Sequence, residues 1–226
     1  VLGPASVQEL ADLMPVAFDL ADKYRNPVIV LGDGMLGQMM EPVTFPDEQP
    51  PPTEYPKDYV LTGAKGRPSR MVRSLLFDTK LEEDHNWKLY RKYRLIEQKE
   101  VRYETYLVED AEMVVVAYGM GARIVKGAIK RLRQEGLKVG LLRPITLWPF
   151  PTQALRELVK QVSDFFVFEM STGQMLEDVR LALAGKGRIH FYGRPGGVIP
   201  TPIELFRIIS RHYYQSKTQG QRTRTV

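Results

Sequence analysis

The sequence predicts an α/β protein whose second half is a mainly parallel sheet with helices on both faces. Two observations carry this. Between Met113 and His212, apolar strand-like runs alternate four times with stretches of helical periodicity, joined by short loops. Ahead of them stands one further helix-then-strand unit, from Ser6 to Leu31, which is half of a wound α/β unit.

In that first unit, Ser6 followed by Glu9 reads as a capping box. Leu10, Leu13, Met14, Ala17, Phe18 and Ala21 then recur at the period of a helix with one buried face. Asn26-Pro27 closes the helix. Val28-Ile29-Val30-Leu31 follows as a continuous β-branched run, the pattern of a strand buried on both sides of a parallel sheet. One strand makes no sheet, so its neighbours are expected N-terminal to Val1. The missing initiator Met agrees with a chain that starts inside a longer one.

Residues 41–56 are Pro-rich around Pro50-Pro51-Pro52 and read as an extended linker. A polar stretch with Gly63 and Gly66 follows, in which Arg67, Arg70 and Arg73 form a solvated edge. A long charged helix is expected over about Leu81–Val108, with Trp87, Tyr90, Tyr93 and Ile96 at helical spacing. Such a helix bridges domains or lies across a partner. The second half is expected to run strand Met113–Tyr118, helix Ala122–Glu135, strand Lys138–Leu142, helix Thr152–Gln161, strand Phe165–Phe168, helix Met175–Ala184, strand Arg188–Tyr192 and helix Pro202–His212. Right-handed crossovers then fix most of the topology. The domain division is 1–45, a linker and helix over 46–110, 111–215, and a short, polar, basic tail over 216–226.

Composition narrows the function classes. The chain has 226 residues, 43% hydrophobic and 26% charged, enough to bury a core. Its net charge of +5 is spread among acids, as in Lys80-Leu81-Glu82-Glu83-Asp84, which fits a solvated surface and not a nucleic-acid groove. It has no cysteine, so it forms no disulfide, offers no thiolate to an iron–sulfur cluster, and suits a reducing cytoplasm. No apolar run approaches the ~18 residues of a membrane span, and the start lacks the regions of a signal peptide.

Three motifs stand at strand ends. Gly32-Asp33-Gly34 follows the first apolar run, where open α/β sheets bind ligands. The same triplet opens the metal–diphosphate motif of thiamine enzymes, in which a downstream Asn pair joins the Asp on Mg²⁺. Here the only asparagines are Asn26 and Asn86, so the triplet reads as a crevice-lining turn and no metal site is assigned. Tyr118-Gly119-Met120-Gly121 occupies the place of a dinucleotide fingerprint, but Ile124 stands at the third glycine and Arg143 where ribose wants an acid. It reads as a tight βα turn. Glu169 ends a strand and would serve as a general base only with a partner. His85, His190 and His212 show no ligand spacing, and His190 reads as a core or interface residue.

The residues from Phe18 to Gln38 closely resemble the end of the pyrimidine-binding domain in α subunits of 2-oxoacid:ferredoxin oxidoreductases, the branched-chain 2-oxoacid (3-methyl-2-oxobutanoate) type above all. Thr62-Gly63-Ala64-Lys65-Gly66-Arg67-Pro68 and Tyr192-Gly193-Arg194-Pro195-Gly196-Gly197-Val198-Ile199-Pro200 agree with it. From Ala111 onward the chain resembles the transketolase C-terminal-like domain of these subunits, with Leu142–Pro149 similar to its interface loop. The resemblance implies a partial pyrimidine-binding domain followed by a transketolase C-terminal-like α/β domain. It also implies a role in oxidative decarboxylation of a 2-oxoacid to acyl-CoA with reduction of ferredoxin.

Thiamine diphosphate and Mg²⁺ would be held mainly by the β subunit and [4Fe-4S] clusters by partner subunits, within a cytoplasmic hetero-oligomer. The family's activating glutamate and its 2-oxoacid-handling segments are absent from this sequence, so no catalytic residue is assigned and the chain alone is expected to be inactive. Asp33, Gly34 and Gln38 are the expected lining of the cofactor crevice, and the loop Arg143–Pro151, with Trp148 and Phe150, the expected subunit contact. Two other readings remain: the β chain of a lipoamide-linked 2-oxoacid dehydrogenase, and a non-catalytic nucleotide-binding or assembly module using Gly119 and Gly121.

Overall fold

Five strands laid down after Arg102 make one sheet, and everything else is placed by it. The computed structural model describes residues 1–47 and 53–222, so Pro50-Pro51-Pro52 and the end of the basic tail lie outside the described residues. In chain order the strands are β1 (Tyr103–Tyr106), β2 (Met113–Val116), β3 (Val139–Pro144), β4 (Asp164–Glu169) and β5 (Arg188–Gly193). Their spatial order is β1-β3-β2-β4-β5, with β1 antiparallel to β3 and the other four parallel. The helices are α1 (Val7–Tyr24), α2 (Thr79–Lys99), α3 (Gly119–Gln134), α4 (Thr152–Leu158), α5 (Gln174–Leu183) and α6 (Pro202–Arg222).

The fold class read from the sequence is the one observed. Every residue of β2, β3 and β4 is buried, because the sheet is covered on both faces. Successive side chains point to opposite faces, and two cores result. Met113, Val115, Leu141, Phe166 and Phe168 pack with α3 and α6. Val114, Val116, Leu142, Phe165 and Val167 pack with α4 and α5. The last helix runs past His212 to Arg222, and Ser216, expected in a polar tail, is buried.

The first 110 residues depart further from expectation. Ser6 caps α1, its hydroxyl accepting from the Glu9 amide at 3.0 Å. The reciprocal Glu9 bond goes one residue back, to the Ala5 amide at 2.7 Å. The buried face of α1 is Leu13, Ala17, Leu20 and Tyr24, while Phe18 is 72% exposed and Met14 is also exposed. The face is rotated because α1 packs against α2 and the chain start instead of lying on a sheet.

The expected strand Val28–Leu31 is not buried on both sides. Val30 makes one parallel bridge to Leu2, and Ile29 and Leu31 are 55% and 45% exposed. Leu2 in turn bridges Thr146, so Val1–Gly3 is threaded between the 28–31 run and the end of β3. The described part of residues 39–78 forms no helix or strand.

The long helix is also shorter than expected: α2 ends at Lys99, and 103–106, where Tyr and Thr favour extended backbone, becomes edge strand β1. Of its four apolar markers only Ile96 is buried, while Trp87, Tyr90 and Tyr93 are exposed. Each step of three residues falls about 60° short of a full turn, so Trp87 ends up opposite Ile96. The inward face is Glu82, His85, Leu89, Lys92 and Ile96.

Charged groups tie the two parts together. The buried Arg143 guanidinium donates two bonds of 2.8 Å to Glu9 on α1 and one of 2.9 Å to Glu104 on β1. Burial works to lower the Arg143 pKa, but its bonds to Glu9 and Glu104 raise it overall. Tyr24 and Lys23 of α1 donate to the buried Glu100 after α2, at 2.5 and 2.7 Å.

Candidate functional site

From β2 the chain passes through α3 to β3 on one side, and from β4 it passes through α5 to β5 on the other. The carboxyl ends of β2 and β4 therefore flank the topological switch point, where ligands bind in open α/β sheets. Three segments meet there: Tyr118-Gly119 after β2, Glu169-Ser171 at the end of β4, and the Gly32-Asp33-Gly34 turn from the first part of the chain.

Asp33 is the joining residue. One carboxylate oxygen accepts from the Leu36 amide at 2.9 Å, which starts the short 3₁₀ turn Leu36–Gln38. The other accepts from the Met120 amide at 3.0 Å, in the first turn of α3. That helix has no side-chain cap of its own and no acid in its first turn. A helix start exposes unpaired N–H groups and carries partial positive charge, and a carboxylate from 87 positions away in the chain satisfies it. Gly119 makes the approach feasible. Its φ of +57° suits glycine, and a Cβ there would stand 3.2 Å from the Asp33 oxygen.

Of the three expected lining residues, Asp33 is thus turned into the protein, while Gly34 and Gln38 are exposed. The Gln38 carboxamide has no hydrogen-bond partner among the described residues. The Gly-x-Gly turn after β2 is occupied by Asp33 in the seat where a nucleotide phosphate would lie, which displaces the nucleotide-binding reading of Gly119 and Gly121.

Glu169 is buried to 2% exposure and does for α5 what Asp33 does for α3. One oxygen accepts from the Met175 amide and the Ser171 hydroxyl, both at 2.9 Å, and the other has no partner among the described residues. Tyr118 stands between the two carboxylates. Burial, and then the charges of Glu169 and Asp33, push its phenol above the ordinary tyrosine range. It stays protonated at neutral pH. The sequence reading missed the pairing of Asp33 with the α3 start. Its signal was two glycine turns, each following an apolar run, which the fold brings to one edge.

A second cluster lies at the opposite, amino end of the sheet. Asp164 accepts from Arg188 at 3.0 and 2.8 Å and from Ser216 at 2.7 Å, with His190 at 3.3 Å. The rings of His190 and His212, far apart in sequence, lie 4.9 Å apart. Among the described residues, no group of three or more His, Asp or Glu is placed to hold a metal ion. For Mg²⁺ and the diphosphate of thiamine diphosphate the residues here do not fit, since both Asp33 oxygens are engaged by backbone amides.

Fold and edge together define an α/β domain with a crevice at the switch point of its sheet. Residues 1–110 match the family model described as pyruvate flavodoxin/ferredoxin oxidoreductase, thiamine diphosphate-binding, and residues 111–205 match pyruvate:ferredoxin oxidoreductase core domain II. The chain belongs to the 2-oxoacid:ferredoxin oxidoreductase family.

It is 48% identical over 214 residues to the ketoisovalerate oxidoreductase subunit VorB of Methanothermobacter marburgensis, covering 93% of this chain and 58% of that one. To the 2-oxoglutarate synthase subunit KorA of Methanothermobacter thermautotrophicus it is 33% identical over 233 residues, covering 92% of this chain and 62% of that one. The chain therefore spans about three-fifths of the length of these relatives. A solved 2-oxoglutarate:ferredoxin oxidoreductase from Magnetococcus marinus, with 2-oxoglutarate, coenzyme A and succinyl-CoA bound, shares the fold. Its TM-score is 0.69 at 22% identity, over 94% of this chain and 42% of that one. No described helix is long and apolar enough to cross a membrane.

Proposed function

We propose that this chain is an α-subunit portion of a thiamine diphosphate-dependent 2-oxoacid:ferredoxin oxidoreductase acting on a branched-chain substrate of the ketoisovalerate type. The complex converts the 2-oxoacid and coenzyme A to acyl-CoA and passes electrons to ferredoxin, in the cytoplasm. The observation that carries this is the 48% identity sustained over 214 residues to a ketoisovalerate oxidoreductase subunit. A β subunit holds the diphosphate and Mg²⁺, and an iron–sulfur subunit carries the clusters, since this chain has no cysteine. When bound, thiamine diphosphate supplies the carbanion chemistry, and the protein orients and isolates it. This chain's own contribution is the exposed face of the 32–38 turn. There the Gly34 backbone and the exposed Gln38 carboxamide, which has no partner among the described residues, line the cofactor crevice.

Reconstitution with the partner subunits tests the proposal. The assembled complex reduces ferredoxin in a reaction requiring the branched 2-oxoacid, coenzyme A and thiamine diphosphate, and the chain alone turns over none of them. Reduction of lipoamide in place of ferredoxin would instead assign the chain to a lipoamide-linked dehydrogenase. Turnover by the isolated chain would remove the need for partners altogether.

A further inference from the structure

We propose that Asp33 is a positioning residue, a latch that fixes the 32–38 turn to the first turn of α3 and so sets where Gly34 and Gln38 stand. The inference rests on the reading of that turn as cofactor lining and goes beyond it by naming what holds the lining in place.

The geometry is a two-sided clamp. Asp33 spends one oxygen on Leu36, organising its own turn, and the other on Met120, anchoring that turn to the sheet domain. Leu36 is buried beneath the turn and prevents it from lifting. At the far end of the same segment, Glu41 pairs with Arg123 of α3 at 2.6 Å and accepts from the Val7 amide, at the start of α1, at 3.2 Å. The Arg123 guanidinium, with the Val7 amide, holds the Glu41 carboxyl below the ordinary range. Both ends of the turn are therefore fastened to one helix, and that helix is rigid, with nine of its residues from Gly119 to Leu132 buried. The segment between the fastenings has no secondary structure beyond one 3₁₀ turn, so its position comes from α3 and not from itself.

The charge state of the latch matters as much as its shape. Two N–H donors converge on one side chain, and a carboxylate accepts from both. An isosteric carboxamide accepts from one and turns its NH₂ toward the other, donor against donor. Gly119 is the other half of the device. With φ at +57° and the Asp33 oxygen 3.2 Å from the place of a Cβ, an alanine there strains the backbone and crowds the carboxylate.

The test uses the reconstituted complex and three variants: Asp33→Asn, Gly119→Ala and Gln38→Ala. Equilibrium binding of thiamine diphosphate is read by quenching of the complex's intrinsic protein fluorescence. Hydrogen exchange is read at the Leu36 and Met120 amides. Asp33→Asn and Gly119→Ala each speed exchange at Met120 and weaken cofactor binding roughly tenfold, the size of one lost charge-assisted hydrogen bond. In both latch variants the Mg²⁺ requirement stays that of the wild type.

Four outcomes separate the possibilities. If Gln38→Ala weakens cofactor binding while both latch variants bind normally, the latch inference fails and the lining reading stands. If Asp33→Asn weakens binding but Gly119→Ala does not, Asp33 touches the cofactor directly and is not a positioning residue. If Met120 exchange accelerates in both latch variants while all three bind cofactor as the wild type does, the 32–38 turn is not cofactor lining and the lining reading falls. If Met120 exchange is unchanged in Asp33→Asn, the capping bond does not exist in solution and the inference is overturned at its base.

Discussion

The sheet domain and the 110 residues before it handle apolar surface in opposite ways. After Met113, Phe165, Phe166 and Phe168 are fully buried and each strand face meets its own pair of helices. Before it, Phe18, Met40, Leu61 and Phe77 are all left in solvent. The first region buries only small clusters, Leu2, Leu13 and Ala17 in one and Leu20, Tyr24 and Ile96 in the other. One region completes its core from its own elements, whereas the other presents surface of the kind that marks contact with further protein. In the first region, ion pairs rather than packing hold position, as Arg143 does with Glu9 and Lys23 with Glu100.

A pair of phenylalanine truncations sharpens the contrast most. Phe166→Ala removes a ring sandwiched between the sheet and α6, and it is expected to cost about 4 kcal/mol in urea unfolding. Phe18→Ala, at 72% exposure, is expected to change stability by less than about 0.5 kcal/mol. A Phe18 cost approaching that of Phe166 would mean that the first region forms a packed core in solution, and the contrast would disappear.

The same contrast decides what was legible in the sequence. Strands β2 to β5 and helices α3 to α6 were each readable because their neighbours lie in the same hundred residues. Local periodicity and tertiary burial therefore agree. Val28–Leu31 has the composition of a central strand, yet among the described residues its only ladder contact is Leu2, so composition alone overstated its burial. The Trp87–Ile96 series made helix α2 legible but not its inward face, since a strict spacing of three drifts around the helix. At the edge, the turn at Asp33 was legible from its place after an apolar run. Its bond to Met120 was not, because no local pattern links residues 87 positions apart.

The amino end of the sheet gives a second, somewhat smaller test. Burial works to raise the Asp164 pKa, but hydrogen bonds from His190, Arg188, Ser216 and Ser163 hold it well below the usual carboxylate range. A depressed folded-state pKa contributes stability that is fully present above the unfolded value, about 4, and is lost as pH falls toward the folded one. Burial, then the nearby His190 and Arg211, lower the pKa of His212. For this base the unfolded chain takes up its proton first, so stability declines as pH falls below about 6.5. Asp164→Ala is expected to cost about 3 kcal/mol at neutral pH and to remove the decline below pH 4, since it takes the carboxylate from the partly buried Arg188 and His190 and the buried Ser216. His212→Gln flattens only the decline that begins below about pH 6.5. Urea midpoints at about pH 7.5, 5.5, 4 and 2.5 measure both. An Asp164→Ala profile parallel to the wild type at every pH would show that the cluster is not ionised as described.

The smallest effect is expected where the two regions meet, at Trp148. It stands between Pro144 and Pro149 on the loop after β3, 37% exposed, with its ring edge-on to Tyr93 of α2 at 5.9 Å. Phe150, two residues on, folds back and packs against the α4–α5 core. Beside Trp148 runs a groove of about 960 Å³ that also takes in Tyr103, Asp178 and the exposed Leu181. The loop is thus divided, with Phe150 serving the chain's own core and Trp148 leaving its remaining face in solvent. Prolines on both sides limit the entropy lost when that face is covered, and a half-exposed aromatic at a groove mouth is the kind of anchor that interfaces use. Trp148→Ala should leave the isolated chain folded and lower its stability by no more than about 1 kcal/mol, the size of one aromatic pair. Assembly with the β subunit, followed by sedimentation, should weaken about tenfold. If the variant chain unfolds, Trp148 belongs to the chain's own packing as Phe150 does. If assembly is untouched, the subunit contact lies on another face, and the exposed aromatics Trp87 and Tyr90 of α2 become the next residues to truncate.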